Sequence, residues 1–160
     1  MYYFSFESSL GKIYLGSTSR GLRFITFGKK YEFSDFISNA VKSEKPFKKI
    51  VSDIQKYLNG NSTLNGEYTL DLNGYTFFQL KVWKILRTIP YGEVRTYSWV
   101  GEKIGNPKSA RAVGQANHTN PIPLIIPCHR VISKDGSLGG FRAGVKYKQI
   151  LLDIENKYKK

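Results

Sequence analysis

The sequence predicts an α/β protein in two parts: a small N-terminal α/β domain over residues 1–74, and a helical C-terminal domain over residues 75–160 built around a helix-turn-helix. Three observations carry that expectation. Strand-like apolar patterning with turn signals opens the chain. Helical spacing with cap and stop residues dominates beyond Tyr75. Charge is uneven: residues 1–74 hold 10 basic and 7 acidic side chains, net +3, whereas residues 75–160 hold 15 and 5, net +10.

In the first part Tyr2–Glu7 is a short aromatic strand. Ser8-Ser9-Leu10-Gly11 is a turn signal that lets Lys12–Gly16 pair back as a hairpin. Gly21–Phe27 alternates imperfectly, with Leu22, Phe24, Ile25 and Phe27 apolar, and reads as a third strand. Pro46 suits the first turn of a helix. Phe47, Ile50, Val51, Ile54, Tyr57 and Leu58 keep helical spacing until Asn59-Gly60 ends the run. Glu67–Leu72 is expected as another strand. The polar stretch Asn59–Gly66 and the Asn73-Gly74 turn are candidate joints.

In the second part Thr76 can cap a helix running to about Thr88, stopped by Pro90. Phe77, Leu80, Val82, Trp83, Ile85, Leu86 and Ile89 wrap more than one face, which predicts a buried central helix. Thr96 or Ser98 caps a short helix to Ile104, and Gly105 closes it. After Asn106-Pro107, Ser109 opens a second short helix from Ala110 to about His118. Two short helices joined by a tight glycine-containing turn form the helix-turn-helix pattern. The pattern alone fits an ordinary helical corner equally well; the +10 charge of this part favours DNA.

Composition bounds the function. The chain has 160 residues, 41% hydrophobic, and a net charge of +13. It can bury a core, and a basic domain is drawn to a polyanion, nucleic acid first. Charge alone does not separate that reading from simple solubility. No apolar run approaches the roughly 20 residues of a membrane span. The opening Met1–Lys12 lacks a signal peptide's basic start and cleavage site. One cysteine rules out an internal disulfide. The expectation is a cytoplasmic protein, without membrane association, whose thiol stays reduced. Cys128, His118 and His129 are too few for a closed Cys/His zinc site, and no spacing suggests a mixed one. No glycine-rich phosphate loop occurs. Neither metal nor cofactor is expected.

The segment Asn120 to Arg130 is the most unusual. Pro121, Pro123 and Pro127 stiffen it and exclude a helix, and Leu124–Ile126 buries it. At its end stand the only cysteine, Cys128, and His129. A thiol reacts as thiolate, and at an unperturbed pKa of about 8.5 few are ionised at neutral pH. His129 can serve as base, and Arg130 can add positive field. Adjacent side chains on an extended segment diverge, so contact between Cys128 and His129 needs a turn or a bridging water. A lone pair of this kind is more often an inert buried cysteine beside a surface histidine.

Pro127-Cys128-His129-Arg130-Val131 resembles the active-site signature of the methylated-DNA–protein-cysteine methyltransferases, the O6-alkylguanine-DNA alkyltransferases. Tyr91-Gly92-Glu93-Val94 through Tyr97 is similar to the same family in order and spacing. So are Gly105-Asn106-Pro107-Lys108, Ala110-Arg111-Ala112-Val113-Gly114, Asn120-Pro121 and Gly139-Gly140. The resemblance is strong over residues 75–156 and covers the first 74 only in general character.

The resemblance implies an RNase H-like N-terminal α/β domain and a winged-helix-like C-terminal domain. It implies that Cys128 attacks the alkyl carbon on guanine O6, with its proton passing through a water to His129, supported by Glu155. Glu155 lies on a final helix whose buried stripe is expected to be Tyr147, Ile150, Leu151, Ile154 and Tyr158. Tyr97 would protonate the leaving base. The nucleotide must be flipped out of the duplex, and Arg111 would fill the gap. The helix with Ala110, Ala112, Val113 and Gly114 would approach the minor groove, whose degenerate code suits a search of any sequence.

Asn120 joins this DNA-binding set, its amide bridging backbone groups in the next turn. Carbonyls of Cys128 and Val131 would meet the guanine edge, Phe141 would line the pocket, and Arg142 would offer its backbone N–H to O6. Phe141 and Arg142 stand where some members have Tyr and Ser. The N-terminal zinc ligands of some members are missing, while the cysteine that alkyltransferase-like proteins replace by Trp is present. The implied activity is irreversible, stoichiometric repair of double-stranded DNA containing O6-alkylguanine, and possibly of O4-alkylthymine, by a monomer. Two alternatives compete: a non-catalytic alkylated-DNA-binding or regulatory helix-turn-helix module, and a Cys-His hydrolase.

Overall fold

The computed structural model describes residues 1–28, 30–64 and 66–160, without the side chains of Lys30 and Tyr31. It forms two compact units, Met1–Asn73 and Gly74–Lys160.

In the first unit β1 (Tyr2–Ser8), β2 (Gly11–Thr18) and β3 (Gly21–Phe27) form an antiparallel meander. The first turn is tied by the Ser8 hydroxyl, which donates to the Gly11 carbonyl at 2.7 Å and accepts from the Leu10 amide at 3.1 Å. Pairing of β2 with β3 shifts register at Gly16/Ser17. A Cβ on Gly16 would meet the Phe24 ring at 2.1 Å, so the core closes directly over the glycine backbone. Ile13, Leu15, Phe24, Ile25 and Phe27 form one side of the core. The helix α2 (Lys48–Leu58) supplies Ile50, Val51, Ile54 and Tyr57. Pro46 opens it through a 3-10 turn, Lys45–Phe47.

Two elements escape the sequence patterns. The helix α1 (Ser34–Ser38) spans one turn and has no side-chain cap, so it carries neither periodicity nor a start signal. The strand β4 (Val41–Lys42) pairs parallel to β1 at the sheet edge, in the order β3-β2-β1-β4. The strand expected over Glu67–Leu72 does not form. It shrinks to one parallel bridge, Leu22 with Leu70, held by two backbone bonds of 2.9 and 2.8 Å. Asp71 explains the arrest. Its buried carboxylate accepts from Thr18 Oγ1 at 2.6 Å, Arg20 Nε at 3.2 Å and the Asn73 amide at 3.2 Å. These bonds turn the chain inward where a strand would run on.

The second unit is mainly helical. Its elements are α3 (Phe77–Leu86), β5 (Arg95–Thr96), α4 (Tyr97–Lys103), α5 (Ala110–His118), β6 (Val131–Ile132) and α6 (Val145–Tyr158). Thr76 and Gln79 form a reciprocal capping box at the start of α3. Burial on α3 is narrower than expected: Val82, Trp83 and Leu86 are buried, but Phe77 is 78% exposed. Trp83 Nε1 donates to the Ala116 carbonyl at 2.9 Å, tying α3 to α5.

Thr96, not Ser98, caps α4 by accepting the Trp99 amide at 3.0 Å. Between α4 and α5 the turn is tight, since a Cβ on Gly101 would sit 2.8 Å from the Asn106 carbonyl. Ser109 precedes α5, but its hydroxyl donates to the Asn106 carbonyl at 2.6 Å and makes no cap.

On α6 the expected stripe holds fully only at Leu151, and two charged residues share the buried face with it. The buried residues are Lys148, Leu151 and Glu155, with Tyr147, Ile150 and Ile154 half-buried and Tyr158 exposed. Positions i, i+3 and i+7 share a helix face, and here two of the three are charged. That is stable only because both meet partners.

Candidate active site

Leu124, in the proline-rich segment, holds φ at +75°, a conformation that costs an ordinary residue roughly 1–2 kcal/mol. The strain is locked by burial and by Asn120. The Asn120 Nδ2 donates to the Ile126 carbonyl at 2.8 Å, and its Oδ1 accepts from the Ile122 amide at 3.0 Å. The segment ends in a 3-10 turn, Cys128–Arg130. This supplies the turn that an extended segment lacks. Cys128, His129 and Arg130 are all buried.

Glu155 meets two of these residues. Its Oε1 lies 2.7 Å from His129 Nε2. Arg130 donates Nε to both carboxylate oxygens at 3.1 and 3.0 Å and Nη2 to Oε1 at 2.8 Å. Arg130 Nη1 donates to the Ile89 carbonyl at 2.8 Å, and the Gly92 amide donates to Glu155 Oε2 at 3.1 Å. Arg130 is thus a counter-charge for the carboxylate, not the source of positive field at the thiol that the sequence suggests.

Burial opposes ionisation of Glu155, but His129 and Arg130 outweigh it and hold the carboxyl well below its ordinary range. Burial pushes the His129 imidazolium down, against the pull of Glu155. The two shifts do not both draw on a charged imidazolium. A neutral His129 beside an ionised Glu155 leaves Arg130 as the balancing cation. In that state Nε2 carries the ring proton and donates it to Glu155, so Nδ1 is the basic nitrogen. Burial raises the Cys128 thiol, opposed by Asn120 and Lys148, so at rest the group is a thiol.

Both His129 and Glu155 have folded values below their ordinary 6.5 and 4.5. The unfolded chain therefore binds more protons, and stability from these groups is present above pH 6.5 and lost as pH falls. Urea midpoints are expected to decline from pH 7 towards pH 4, and a flat profile would contradict the buried pair.

Lys148 is the residue that sequence reading missed. It is fully buried, and its Nζ donates to the Val131 carbonyl at 2.6 Å and the Gly140 carbonyl at 3.2 Å. Burial lowers its ammonium to about 8, against the pull of Cys128. The spacing of Lys148 and Glu155 around Leu151 was the available signal, but a search for apolar periodicity passes over charged positions.

An open cleft of about 530 Å³ lies beside this cluster, lined among others by Tyr97, Arg111, Gly114, His118, Gly139 and Gly140. Tyr97 is half-buried. Burial raises its hydroxyl, as does Cys128, while the Gly140 backbone opposes. Gly139 has φ of +69°, and a Cβ there would stand 2.5 Å from the Tyr97 hydroxyl, so glycine is required.

Arg111 and Ala112 are exposed, and Ala110 and Gly114 are half-buried at the cleft. Val113 and Asn120 are buried. Val113 packs into the core from within the helix, so its side chain does not present itself at the surface, whereas the Asn120 amide bridges backbone groups in the following turn as expected. Val131 is buried, with its carbonyl held by Lys148, while Phe141 and Arg142 are half-buried.

A two-helix DNA-binding motif joined to a buried thiol and a histidine–carboxylate pair defines a class: DNA-binding proteins with a candidate cysteine nucleophile. Residues 77–157 match the family model for the 6-O-methylguanine DNA methyltransferase DNA binding domain, and residues 1–72 match that family's ribonuclease-like domain. A methylated-DNA–protein-cysteine methyltransferase of Methanosarcina acetivorans is 41% identical over 155 residues, covering 97% of this chain and 98% of the relative. One from Mycobacterium tuberculosis is 48% identical over 109 residues, 68% of this chain and 65% of the relative. The crystal structure of the M. tuberculosis OGT in complex with DNA aligns at a TM-score of 0.89 and 36% identity, covering 99% and 94% of the two chains. The chain belongs to the 6-O-methylguanine DNA methyltransferase family.

Proposed function

We propose that this protein repairs alkylated double-stranded DNA in the cytoplasm. As a monomer, it transfers the O6-alkyl group of guanine irreversibly to Cys128. The observation that carries the reading is a buried Cys128 followed directly in the same 3-10 turn by His129, whose imidazole meets the Glu155 carboxylate at 2.7 Å, with a cleft bordered by Arg111 in the same unit. Neither the regulatory-module reading nor the hydrolase reading has a specific observation in its favour.

The step balances as a displacement. Cys128 Sγ bonds to the alkyl carbon as the carbon–O6 bond breaks, and the electron pair leaves with guanine. The thiol proton passes to His129 Nδ1, by way of a water as the family resemblance implies, and Glu155 stabilises the imidazolium. Tyr97 gives a proton to the leaving base. Its raised pKa suits it to donate only as that charge develops. Lys148, which opposes the upward shift of the thiol, favours the thiolate. Arg111 on α5 replaces the flipped nucleotide in the stack, and basic groups around it hold phosphates. The product is a thioether, a bond that water does not hydrolyse under these conditions, so each molecule reacts once.

Incubation with a duplex holding one O6-methylguanine is expected to add one methyl mass to the peptide containing Cys128. Repair should stop at one equivalent. Absence of the adduct defeats the proposal, and repeated turnover favours a hydrolytic mechanism instead.

A further inference from the structure

Asn117 stands apart from the cluster described above. It lies on α5, is 7% exposed, and neither its Oδ1 nor its Nδ2 has a hydrogen-bond partner among the described residues. Its backbone carbonyl accepts from the Asn120 amide at 3.2 Å, which fixes the helix end without involving the side chain. Buried amides are ordinarily paired, and a donor and an acceptor left unpaired destabilise the fold. An apolar side chain of similar shape would suit a pure core position better.

The direction of the side chain suggests why an amide is there. At 3.6 residues per turn, position 117 projects within about 20° of position 110 and about 60° of position 114. Ala110 and Gly114 both line the cleft. The Tyr97 ring packs over Gly114, where a Cβ would lie 3.8 Å away. Asn117 thus occupies the flank of α5 between the cleft-lining Ala110 and Gly114 and the core residue Val113, with its amide buried behind the lining residues rather than among them. Arg111, Gln115 and His118 complete the cleft-facing side of the same helix.

We infer that Asn117 is a specificity-determining residue, whose amide offers one donor and one acceptor to the extrahelical nucleotide when the cleft opens to receive it. This rests on the proposed repair reaction. A nucleobase edge carries donors and acceptors that lose water on entering such a cleft. A site that pairs them discriminates strongly against one that cannot. The unpaired amide in the DNA-free protein is then the consequence of shaping the pocket for the bound state.

Asn117→Leu removes both polar groups and nearly keeps the shape. It is expected to raise the melting temperature of the free protein by roughly 2–4 °C. Methyl transfer from an O6-methylguanine duplex at saturating protein should slow at least about 10-fold. Affinity for undamaged duplex and the thiolate titration of Cys128, followed at 240 nm, should stay unchanged. Asn117→Ser, smaller and still polar, should transfer faster than the Leu variant despite lower stability. Unchanged transfer in Asn117→Leu, or a parallel fall in stability, affinity and transfer, overturns the assignment. Wild-type protein run alongside separates the failures: if it does not transfer either, the repair reaction itself is wrong.

Discussion

Cys128→Ala is expected to abolish alkyl transfer while changing affinity for an undamaged duplex by less than about twofold, because affinity for DNA rests chiefly on phosphate contacts. Cys128 is buried and is the only cysteine, so no second thiol can substitute. Removing one sulfur from a buried turn leaves a small cavity, and the loss of stability should be near 1 kcal/mol. The backbone around it is pinned independently by Asn120 and by Lys148 on the Val131 carbonyl. The variant should therefore fold and remain bound at a lesion it cannot repair. Gel-shift affinity and a methyl-transfer assay on the same preparation decide the matter. Residual transfer would place the nucleophile elsewhere, and equal loss of DNA binding would contradict the separation of roles.

The second large effect is expected at Glu155. Replacing Glu155 with Ala strands Arg130, which otherwise directs three hydrogen bonds at the carboxylate. Breaking a buried pair by removing one partner costs about 3–5 kcal/mol. His129 also loses the acceptor that sets its tautomer, so transfer should fall even at temperatures where the variant is folded. Glu155→Gln tells the two losses apart. Its amide keeps the volume and can still accept a hydrogen bond from His129, but it cannot balance Arg130 or stabilise an imidazolium. It should lose less stability than the alanine variant and most of the transfer rate. Urea unfolding and single-turnover kinetics on both variants test this. Wild-type stability in the alanine variant would mean that Arg130 finds another acceptor.

The sequence by itself determined the elements whose signals are local. The meander of β1, β2 and β3 follows from strand patterning punctuated by turns. The α4–α5 corner follows from Thr96, Gly105 and helical spacing. The rigid approach to Cys128 follows from its prolines, and the resemblance carried by the same segments pointed to the reaction. Glu155 was legible only through that resemblance, because a glutamate on an amphipathic helix is ordinarily solvated.

Only the tertiary structure decided which charges are buried and what they meet. Lys148 and Glu155 hold the inner face of α6 because carbonyls at Val131 and Gly140, and the side chains of His129 and Arg130, come to them from another part of the chain. Asp71 ends the strand expected at Glu67–Leu72 because Thr18 and Arg20 reach it across more than fifty residues. Asn117 is unusual only because nothing among the described residues reaches it. The physical reason is common to all three. Apolar burial follows periodicity within one segment, whereas burial of a polar group depends on partners distant in sequence.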